Sequence, residues 1–202
     1  MGRKHVTHFR EVALAHASRL INHGPTVLVT SAHAGARNIM AAAWSMPVEF
    51  TPPRIAIVID KNTFTRELMT ASGSFGICLP GKVLAGLTYA VGSVSGRTVD
   101  KFAKHGLTPR SGPVFGVPLL EEGCAAWLEC RLIPEPHTQD AYDTCFAEVV
   151  AAAADERVFS GGHWHFDDHN ADLQTIHHLG AGNFVRSAGM FHAGAPPELK
   201  GL

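Results

Sequence analysis

The chain has 202 residues, 46% of them hydrophobic and 17% charged, which predicts a single domain over residues 1–202 with its own core. Apolar runs fall short of the roughly 18–20 residues of a membrane span and the N-terminus lacks the apolar region of a secretory signal, so we expect a cytoplasmic protein that does not contact membranes. The formal net charge is −1 and Lys and Arg are scattered, which argues against a nucleic-acid surface.

The first part of the chain predicts a helix followed by a strand hairpin. Apolar residues at helical spacing favour a helix over residues 9–21. Residues 26–31 are typical of a strand, and residues 38–50 predict a second, long strand that returns beside it. After Thr51-Pro52-Pro53, the β-branched run 54–59 predicts a buried strand.

The middle of the chain predicts helices alternating with strands. A helix capped by Asn62 is expected over residues 63–71, a strand over 74–79 and a helix over 83–91. A short helix over residues 98–105 is expected to end at Gly106.

The last part of the chain predicts two long strands and an irregular tail. Residues 125–133 and 144–154 are strand-like, and we expect the polar segment 134–143 to join them as a loop. One or two helical turns are expected over residues 172–179, followed by an extended piece through residues 180–184.

Strands dominate this pattern, and helices are inserted between them. No strand is followed by Gly-x-Gly-x-x-Gly. The pattern therefore favours a mostly β fold, a closed or nearly closed barrel with helical decoration, over a parallel βαβ sheet.

Three segments carry candidate chemistry, and each has a purely structural alternative. Residues 38–44 place small residues and Trp44 on a strand, where a ligand could approach the backbone, although tight core packing explains the same pattern. Residues 61–66 bring hydroxyls, an amide and two cations to a helix start, which suits a phosphate; a capped, solvated helix start is the alternative. The glycine-containing loop 91–102 could deliver Lys101, which could equally be a solvated lysine.

Together these segments resemble the flavin reductase-like FMN-binding split-barrel family, of which flavoredoxin is a well-known member. The resemblance is carried by Asn-x-Met-x-x-x-Trp at 38–44, Pro-Pro before a hydrophobic strand, Gly-Ser-Phe at 73–75, Ser-Gly-x-x-x-Asp-Lys-Phe at 95–102 and Gly-Leu-Thr at 106–108. It runs from about Pro25 to Phe184. The resemblance implies a split β-barrel of antiparallel Greek-key type that binds FMN.

The resemblance also implies which residues contact FMN. Asn38 and Trp44 would contact the flavin, the backbone of residues 40–43 would edge its ring, and Thr65 would lie beside the flavin or its phosphate. Lys61, Thr63, Arg66 and Lys101 could serve the polar ends of the cofactor. The predicted cofactor-binding set is Asn38, Met40, Ala41, Ala42, Ala43, Trp44, Lys61, Thr63, Thr65, Lys101, Tyr142 and Phe184.

Tyr142 marks a departure from the family pattern. Relatives often carry a His six residues before the Glu-Val of the late strand, and counting back from Glu148 gives Tyr142 here. Tyr can donate a hydrogen bond, but it does not become a cation near neutral pH. Either Tyr142 or nearby His137 is expected to replace that contact.

Histidines are unusually frequent, with 13 in the chain, several of them between His163 and His178. They could in principle bind a transition metal, but no Cys lies nearby and no His-Glu-x-x-His occurs, so we predict no metal site. A surface loop is one interpretation, and a loop that covers the exposed face of the flavin is another. The four cysteines lie in apolar stretches and are expected to be buried free thiols.

The predicted function is an FMN-dependent oxidoreductase, an NAD(P)H:flavin reductase that takes electrons from NADH or NADPH as a transient donor. Free flavin or another small molecule would be the electron acceptor. The alternatives are a non-enzymatic FMN electron carrier of flavoredoxin type and a histidine-based metal-binding protein. No catalytic side chain is predicted. The resemblance also implies a homodimer.

Overall fold

A computed structural model describes residues 7–194 of the chain. The strands of this region, in chain order, are β1 (Phe9–Glu11), β2 (Val27–His33), β3 (Ala36–Ala42), β4 (Ser45–Phe50), β5 (Pro53–Val58), β6 (Ser74–Pro80), β7 (Arg110–Ser111), β8 (Pro118–Leu119), β9 (Cys124–Ile133), β10 (Thr144–Asp155), β11 (Phe159–Ser160), β12 (His163–Trp164), β13 (Ile176–Gly180) and β14 (Asn183–Arg186).

Helices stand between these strands and cover the sheet. The α-helices are α1 (Ala17–Ile21), α2 (Phe64–Ser72), α3 (Ala85–Gly92), α4 (Lys101–Lys104) and α5 (Pro136–Tyr142). Single 3₁₀ segments precede α1 and α3, at Leu14–His16 and Lys82–Leu84, and a third spans Asp168–Leu173. Within residues 7–194 no helix is long and apolar enough to cross a membrane.

One large antiparallel sheet organises the fold. Its strands follow the order β3-β2-β6-β9-β10-β5-β4, and β1 pairs with β10 beside this path. Strands that are distant in sequence, such as β2 and β6, are therefore neighbours. The prediction of a mostly β, antiparallel fold with inserted helices is confirmed.

Two apolar clusters cover opposite faces of the central strands. Successive side chains of a strand point to opposite faces, so Val27 and Val29 of β2 join the larger cluster while Leu28 joins the other. The second cluster contains Phe102 of α4 and Val91 of α3. Because it is covered on both faces, β6 is buried along its whole length, in agreement with its continuous apolar sequence.

Two predicted elements in the first part of the chain are wrong. Residues 9–21 do not form one helix, because Phe9–Glu11 pairs with the end of β10 as β1 and α1 begins only at Ala17. The long strand predicted over residues 38–50 is two strands, β3 and β4, which lie at opposite ends of the sheet order. The chain turns at residues 43–44, where it leaves its pairing with β2 and begins its pairing with β5.

Three predictions in the second half also need correction. The expected loop 134–143 contains α5, which has Pro136 in its first turn, a position that suits proline. The helical turns predicted over residues 172–179 are wrong, because the chain is extended from Ile176 and forms a hairpin with β14. The helix predicted over 98–105 is the shorter α4, since the Asp100 carboxylate caps it by accepting from the Ala103 N–H at 3.1 Å.

Candidate functional site

The outer edge of β3 is the first part of the candidate site. β3 ends the sheet order, and the Lys101 ammonium donates to the carbonyl of Ile39 at 2.9 Å on that edge. Alternate residues of a strand direct their backbone groups to the same edge, so Ala41 presents its N–H and C=O on the side where Lys101 bonds Ile39. The backbone that was predicted to border the flavin ring is therefore at a strand edge.

Lys101 is a buried lysine, with only 3% of its surface exposed. It donates a second hydrogen bond, of 2.7 Å, to the carbonyl of Val91 in α3. Burial lowers the pKa of Lys101 to about 8. Its two bonds join the wall formed by β3 to the wall formed by α3, so the alternative of a solvated lysine is wrong.

A cavity of about 210 Å³ opens between β3, α3 and the β13–β14 hairpin. It brings together predicted residues that are far apart in sequence, Ala41 to Ala43 on one side and Phe184 on the other. Its lining residues are Thr26, Ala41, Ala42, Ala43, Thr88, Tyr89, Gly92, Ser93, His178 and Phe184. Tyr89 and His178, which the sequence did not single out, stand beside the predicted Phe184.

The N-terminal turn of α2 forms a polar corner of the site. The Thr63 hydroxyl caps the helix by accepting from the Arg66 N–H at 3.2 Å. Thr65 is buried, and its hydroxyl accepts from the Asn38 side-chain amide at 2.8 Å. This bond ties the helix start to β3. The carbonyl oxygen of the same Asn38 amide is buried and has no hydrogen-bond partner among residues 7–194.

Gly96 packs directly over this amide. A Cβ added at Gly96 would stand 2.0 Å from Asn38 Oδ1, so a side chain there would force the loop or the amide to move. The glycine of the Ser-Gly-x-x-x-Asp-Lys-Phe segment is therefore explained by close approach of the loop to β3.

The two cations near this corner differ in what they contact. Arg66 is buried, and its guanidinium donates to the carbonyls of Ile59 at 3.0 Å and Gln139 at 3.3 Å, so it is a structural group. Lys61 is exposed, and its ammonium lies 3.8 Å from the Asp143 carboxylate.

Arg97 is the cation that sequence reasoning missed. Its guanidinium lies 5.3 Å from the ring centre of Phe64, the first residue of α2, and bonds Glu67 in the same turn. The signal in the sequence was the position of Arg97 directly after Ser95-Gly96. Gly96 packs against Asn38 of β3, and Asn38 bonds Thr65 at the start of α2, so the next side chain of the loop lies beside that helix start.

The remaining predicted residues lie elsewhere. Trp44 is 73% exposed at the turn between β3 and β4, and its carbonyl accepts from Val58 N–H at 3.0 Å. Tyr142 is 64% exposed at the end of α5, where its ring meets that of His137 edge-on at 5.7 Å. Met40 packs against the larger apolar cluster. Neither Trp44 nor Tyr142 lines the cavity.

The histidine-rich segment packs onto α1. Trp164 stacks on Phe166 with ring centres 4.7 Å apart, and its indole N–H donates to the Arg19 carbonyl at 2.9 Å. Residues 163–169 do not line the cavity. In the described part of the chain no group of three or more His, Cys, Asp or Glu is placed to hold a metal ion.

The four cysteines are buried free thiols, as expected. Burial raises the pKa of each thiol, that of Cys78 to about 12. Because the thiolate is the reactive form, these side chains are poor nucleophiles.

Known proteins and solved structures are similar to this chain. Residues 19–173 match the family model described as flavin reductase like domain. The uncharacterized protein YddH of Escherichia coli (strain K12) is 59% identical over 191 residues, which are 94% of this chain and 100% of that protein. The crystal structure of an FMN-binding domain of a flavin reductases-like enzyme from Shewanella baltica OS155 is 43% identical, with a TM-score of 0.90 over 94% of this chain and 100% of that chain.

A more distant structure is also similar. Flavoredoxin of Desulfovibrio vulgaris (Miyazaki F) is 27% identical, with a TM-score of 0.71 over 85% of this chain and 90% of that chain. These similarities confirm the split-barrel fold that the sequence resemblance implied. The family match ends at residue 173, before the β13–β14 hairpin that contributes His178 and Phe184 to the cavity.

Proposed function

Because the chain belongs to the flavin reductase-like family, we propose that it binds FMN and is an oxidoreductase that uses NADH or NADPH as a transient electron donor. Free flavin or another small molecule is the electron acceptor. The observation that carries the proposal is the 2.8 Å hydrogen bond from Asn38 to Thr65. It places the free edge of β3, which suits a flat ring, directly beside the N-terminus of α2, which suits a phosphate.

The polar corner fits the phosphate end of FMN. The first-turn N–H groups of a helix lack partners within the helix and carry partial positive charge. The Thr63 hydroxyl already donates to the Asp60 carbonyl and accepts from the Arg66 N–H. The other first-turn N–H groups stay available to a phosphate, and Lys61 and Arg97 add two exposed cations on chain segments that adjoin the turn. Hydroxyls, amides and cations are the groups that bind phosphates in proteins.

The strand edge and the buried amide fit the rest of the cofactor. Ala41 to Ala43 have small side chains, so a planar ring can reach their backbone. The buried Asn38 Oδ1 lacks a partner in residues 7–194, and a buried acceptor is costly unless a donor meets it. Because Gly96 covers this oxygen, a donor on FMN would satisfy it only if the loop at Gly96 moved away. The flavin, when bound, supplies the two-electron chemistry.

The protein's own residues would bind and orient the cofactor and the substrate, and they would exclude water from the site. The apolar residues around the cavity keep it partly dry, and Lys101 keeps its two walls together. A reaction of this kind depends on orientation more than on a nucleophilic side chain, which agrees with the burial of all four thiols. NADH or NADPH would bind at the site only transiently, without a separate nucleotide-binding domain to hold it.

We also propose a homodimer that uses the surface of β4. Four large apolar side chains at and directly before β4 are exposed: Trp44, Met46, Val48 and Phe50, by 73%, 57%, 41% and 70%. A bulge between Pro47 and Glu49 turns them toward more than one side of the strand. Monomers rarely expose many large apolar side chains so close together, and a two-fold dimer is the commonest symmetric assembly. Trp44 directly follows Ala43, so a partner seated here would lie beside the proposed flavin ring. The cytoplasmic location stays a prediction.

A non-enzymatic FMN electron carrier is the second candidate. The similarity to flavoredoxin of Desulfovibrio vulgaris favours it. In that case a partner protein, and not a nicotinamide, would supply the electrons.

The test is a spectrum followed by two titrations. The purified protein should show flavin absorbance or take up FMN, and it should bind riboflavin more weakly, because riboflavin lacks the phosphate. Anaerobic mixing of the FMN-loaded protein with NADH and with NADPH should bleach the flavin within minutes. Bleaching by neither donor would favour the carrier, and absence of FMN binding would overturn both candidates.

A further inference from the structure

The β13–β14 hairpin is held to the rest of the fold by few backbone hydrogen bonds. Within residues 7–194 it forms a two-stranded sheet of its own, and an isolated pair of strands is only marginally stable in water. A single bridge joins Thr175, directly before β13, to Gly81. The hairpin nevertheless supplies His178 and Phe184 to the cavity proposed for the flavin ring. Its position therefore depends on side-chain contacts as well.

Four side chains form a histidine–hydroxyl network at the base of the hairpin: His23, Thr175, Ser187 and His177. His23 Nε2 lies 2.8 Å from the Thr175 hydroxyl, which lies 2.9 Å from the Ser187 hydroxyl. His177 Nε2 lies 3.2 Å from the same Ser187 hydroxyl, and His177 Nδ1 lies 3.0 Å from the Gly24 carbonyl. The network therefore joins both ends of the hairpin to the segment between α1 and β2.

The Gly24 carbonyl fixes the direction of every hydrogen bond in the network. A carbonyl only accepts, so Nδ1 of a neutral His177 carries the proton and Nε2 accepts from the Ser187 hydroxyl. Ser187 then has no further proton to give, so its oxygen accepts from Thr175, which in turn accepts from His23 Nε2. Burial lowers the pKa of His23 to about 4, so this ring is neutral at pH 7. The two histidines therefore hold opposite tautomers.

The network is coupled to the cavity through β13. His177 and His178 are neighbours on this strand, so their side chains point to opposite faces of the hairpin. The network holds His177 on one face, and His178 lines the cavity on the other. Phe184, which also lines the cavity, pairs with His178 across the hairpin. A shift of β13 would therefore move both rings that the hairpin places in the cavity.

We propose that the histidine–hydroxyl network positions the hairpin wall of the flavin-ring cavity, so that side chains outside the cavity control how tightly the ring is held. His23, Thr175, Ser187 and His177 are positioning residues, and none of them lines the cavity. The network acts on the ring end of FMN and not on its phosphate end at α2. This inference rests on the proposed function, because the cavity must hold the flavin ring for the network to act on it.

The first measurement is the tautomer of each histidine in the full-length protein. Two-bond ¹H–¹⁵N spectra at pH 7 should show His177 protonated on Nδ1 and His23 protonated on Nε2. Thr175→Val removes the central hydroxyl but keeps the shape of the side chain, so it should shift the Nε2 resonances of both histidines. Thr175→Ser should restore the wild-type resonances. Protonation of His177 on Nε2 in the wild-type protein would overturn the network.

The second measurement is the affinity of the protein for FMN and for riboflavin. Thr175→Val and Ser187→Ala should each weaken the binding of both flavins about 3- to 10-fold, the usual effect of one lost hydrogen bond. Loss of a phosphate contact would instead weaken FMN alone. Because the two changes break one network, the double variant should bind flavin hardly more weakly than either single variant. Thr175→Ser should recover the wild-type affinity.

Ser72→Ala is the matched control for Ser187→Ala. The Ser72 hydroxyl donates to the Ser74 carbonyl at 2.9 Å, outside the network and the cavity. Its loss should lower stability without changing the affinity for either flavin. If Thr175→Val and Ser187→Ala also lost stability but kept full affinity for both flavins, the network would be structural only, and the inference would fail while FMN binding stood.

Two further outcomes have separate meanings. Fully additive losses of affinity in the double variant would show that Thr175 and Ser187 act independently, which contradicts a shared network. Absence of flavin binding to the wild-type protein would overturn the proposed function and the positioning role together. The histidine tautomers would in that case still show whether the network itself exists, because they are measured without flavin.

Discussion

The ammonium of Lys101 donates a 2.9 Å hydrogen bond to the backbone carbonyl of Ile39, at the free edge of β3. A second bond of 2.7 Å reaches Val91 in α3. Because β3 and α3 form two walls of the cavity, this single side chain sets their separation. It is a positioning group for whatever binds between them.

Replacing Lys101 should therefore loosen both walls. Lys101→Met keeps the aliphatic stem but leaves two backbone carbonyls without donors, and we expect a loss of about 1.5–3 kcal/mol in the free energy of unfolding, measured in urea. FMN affinity should fall as well. Lys104→Met, at an exposed lysine in the same helix, is the matched control and should be near neutral. Equal stability of the two variants would contradict the positioning role.

Arg97 should recognise the phosphate of FMN. Arg97→Gln is expected to weaken FMN binding about 10-fold while leaving riboflavin binding unchanged, because riboflavin has no phosphate for a cation to meet. Fluorescence titration with both flavins measures the two affinities. Arg10→Gln, at an exposed arginine on β1, should alter neither. Parallel weakening of both flavins would indicate a structural role for Arg97.

Gly96 should not tolerate a side chain. Gly96→Ala places a Cβ 2.0 Å from Asn38 Oδ1, so the loop must retreat, and both the thermal midpoint and FMN affinity should fall. Gly86→Ala is the control, because a Cβ there meets nothing within 4 Å. Since Gly86 lies within α3, that change should stabilise the fold by about 0.5–1 kcal/mol. A thermal midpoint for Gly96→Ala at or above the wild-type value would contradict this packing.

His23 should make the protein less stable in mild acid. Burial, with a smaller effect of His177, lowers the pKa of His23 from 6.5 to about 4. Between these values the unfolded chain binds more protons than the folded one, so stability is full above pH 6.5 and falls as the pH decreases towards 4. The loss at pH 4 is on the order of 3 kcal/mol.

Urea unfolding at several pH values measures this dependence. His23→Gln removes the titrating group and should flatten the profile between pH 6.5 and 4, although it will also change stability at pH 7. His163→Gln, at an exposed histidine, should retain the wild-type slope. An unchanged slope in His23→Gln would assign the acid sensitivity to other groups.

The exposed apolar residues of β4 should hold the proposed dimer together. Phe50→Lys introduces a charge at a side chain that is 70% exposed, so it should leave the monomer folded and shift the molecular mass in light scattering to that of a monomer. Phe191→Lys, at a side chain that is 90% exposed in the C-terminal tail, should keep the wild-type mass. A monomeric wild-type protein at micromolar concentration would contradict the dimer itself.

The sequence by itself determined the central strands and the family. Residues 26–31, 54–59, 74–79, 125–133 and 144–154 were predicted as strands, and the structure has strands there, because β-branched and apolar runs report burial locally. Helix starts were less exact: Thr63, and not the predicted Asn62, caps α2, and the helix predicted from residue 98 begins at Lys101 as α4. The family resemblance could be found from the sequence because it depends only on the order and spacing of short motifs along the chain.

The tertiary structure decided what depends on contacts between distant residues. β1 replaced a predicted helix because Phe9 pairs with Asp155, and Arg66 proved structural because it bonds carbonyls of Ile59 and Gln139. The cavity joins Ala41, Tyr89 and Phe184 from three separate elements. A local sequence pattern indicates which face of a helix or strand is apolar, but it does not indicate which other element packs on that face. The hydrogen-bond partners of Lys101 and the walls of the cavity therefore had to be read from the tertiary structure.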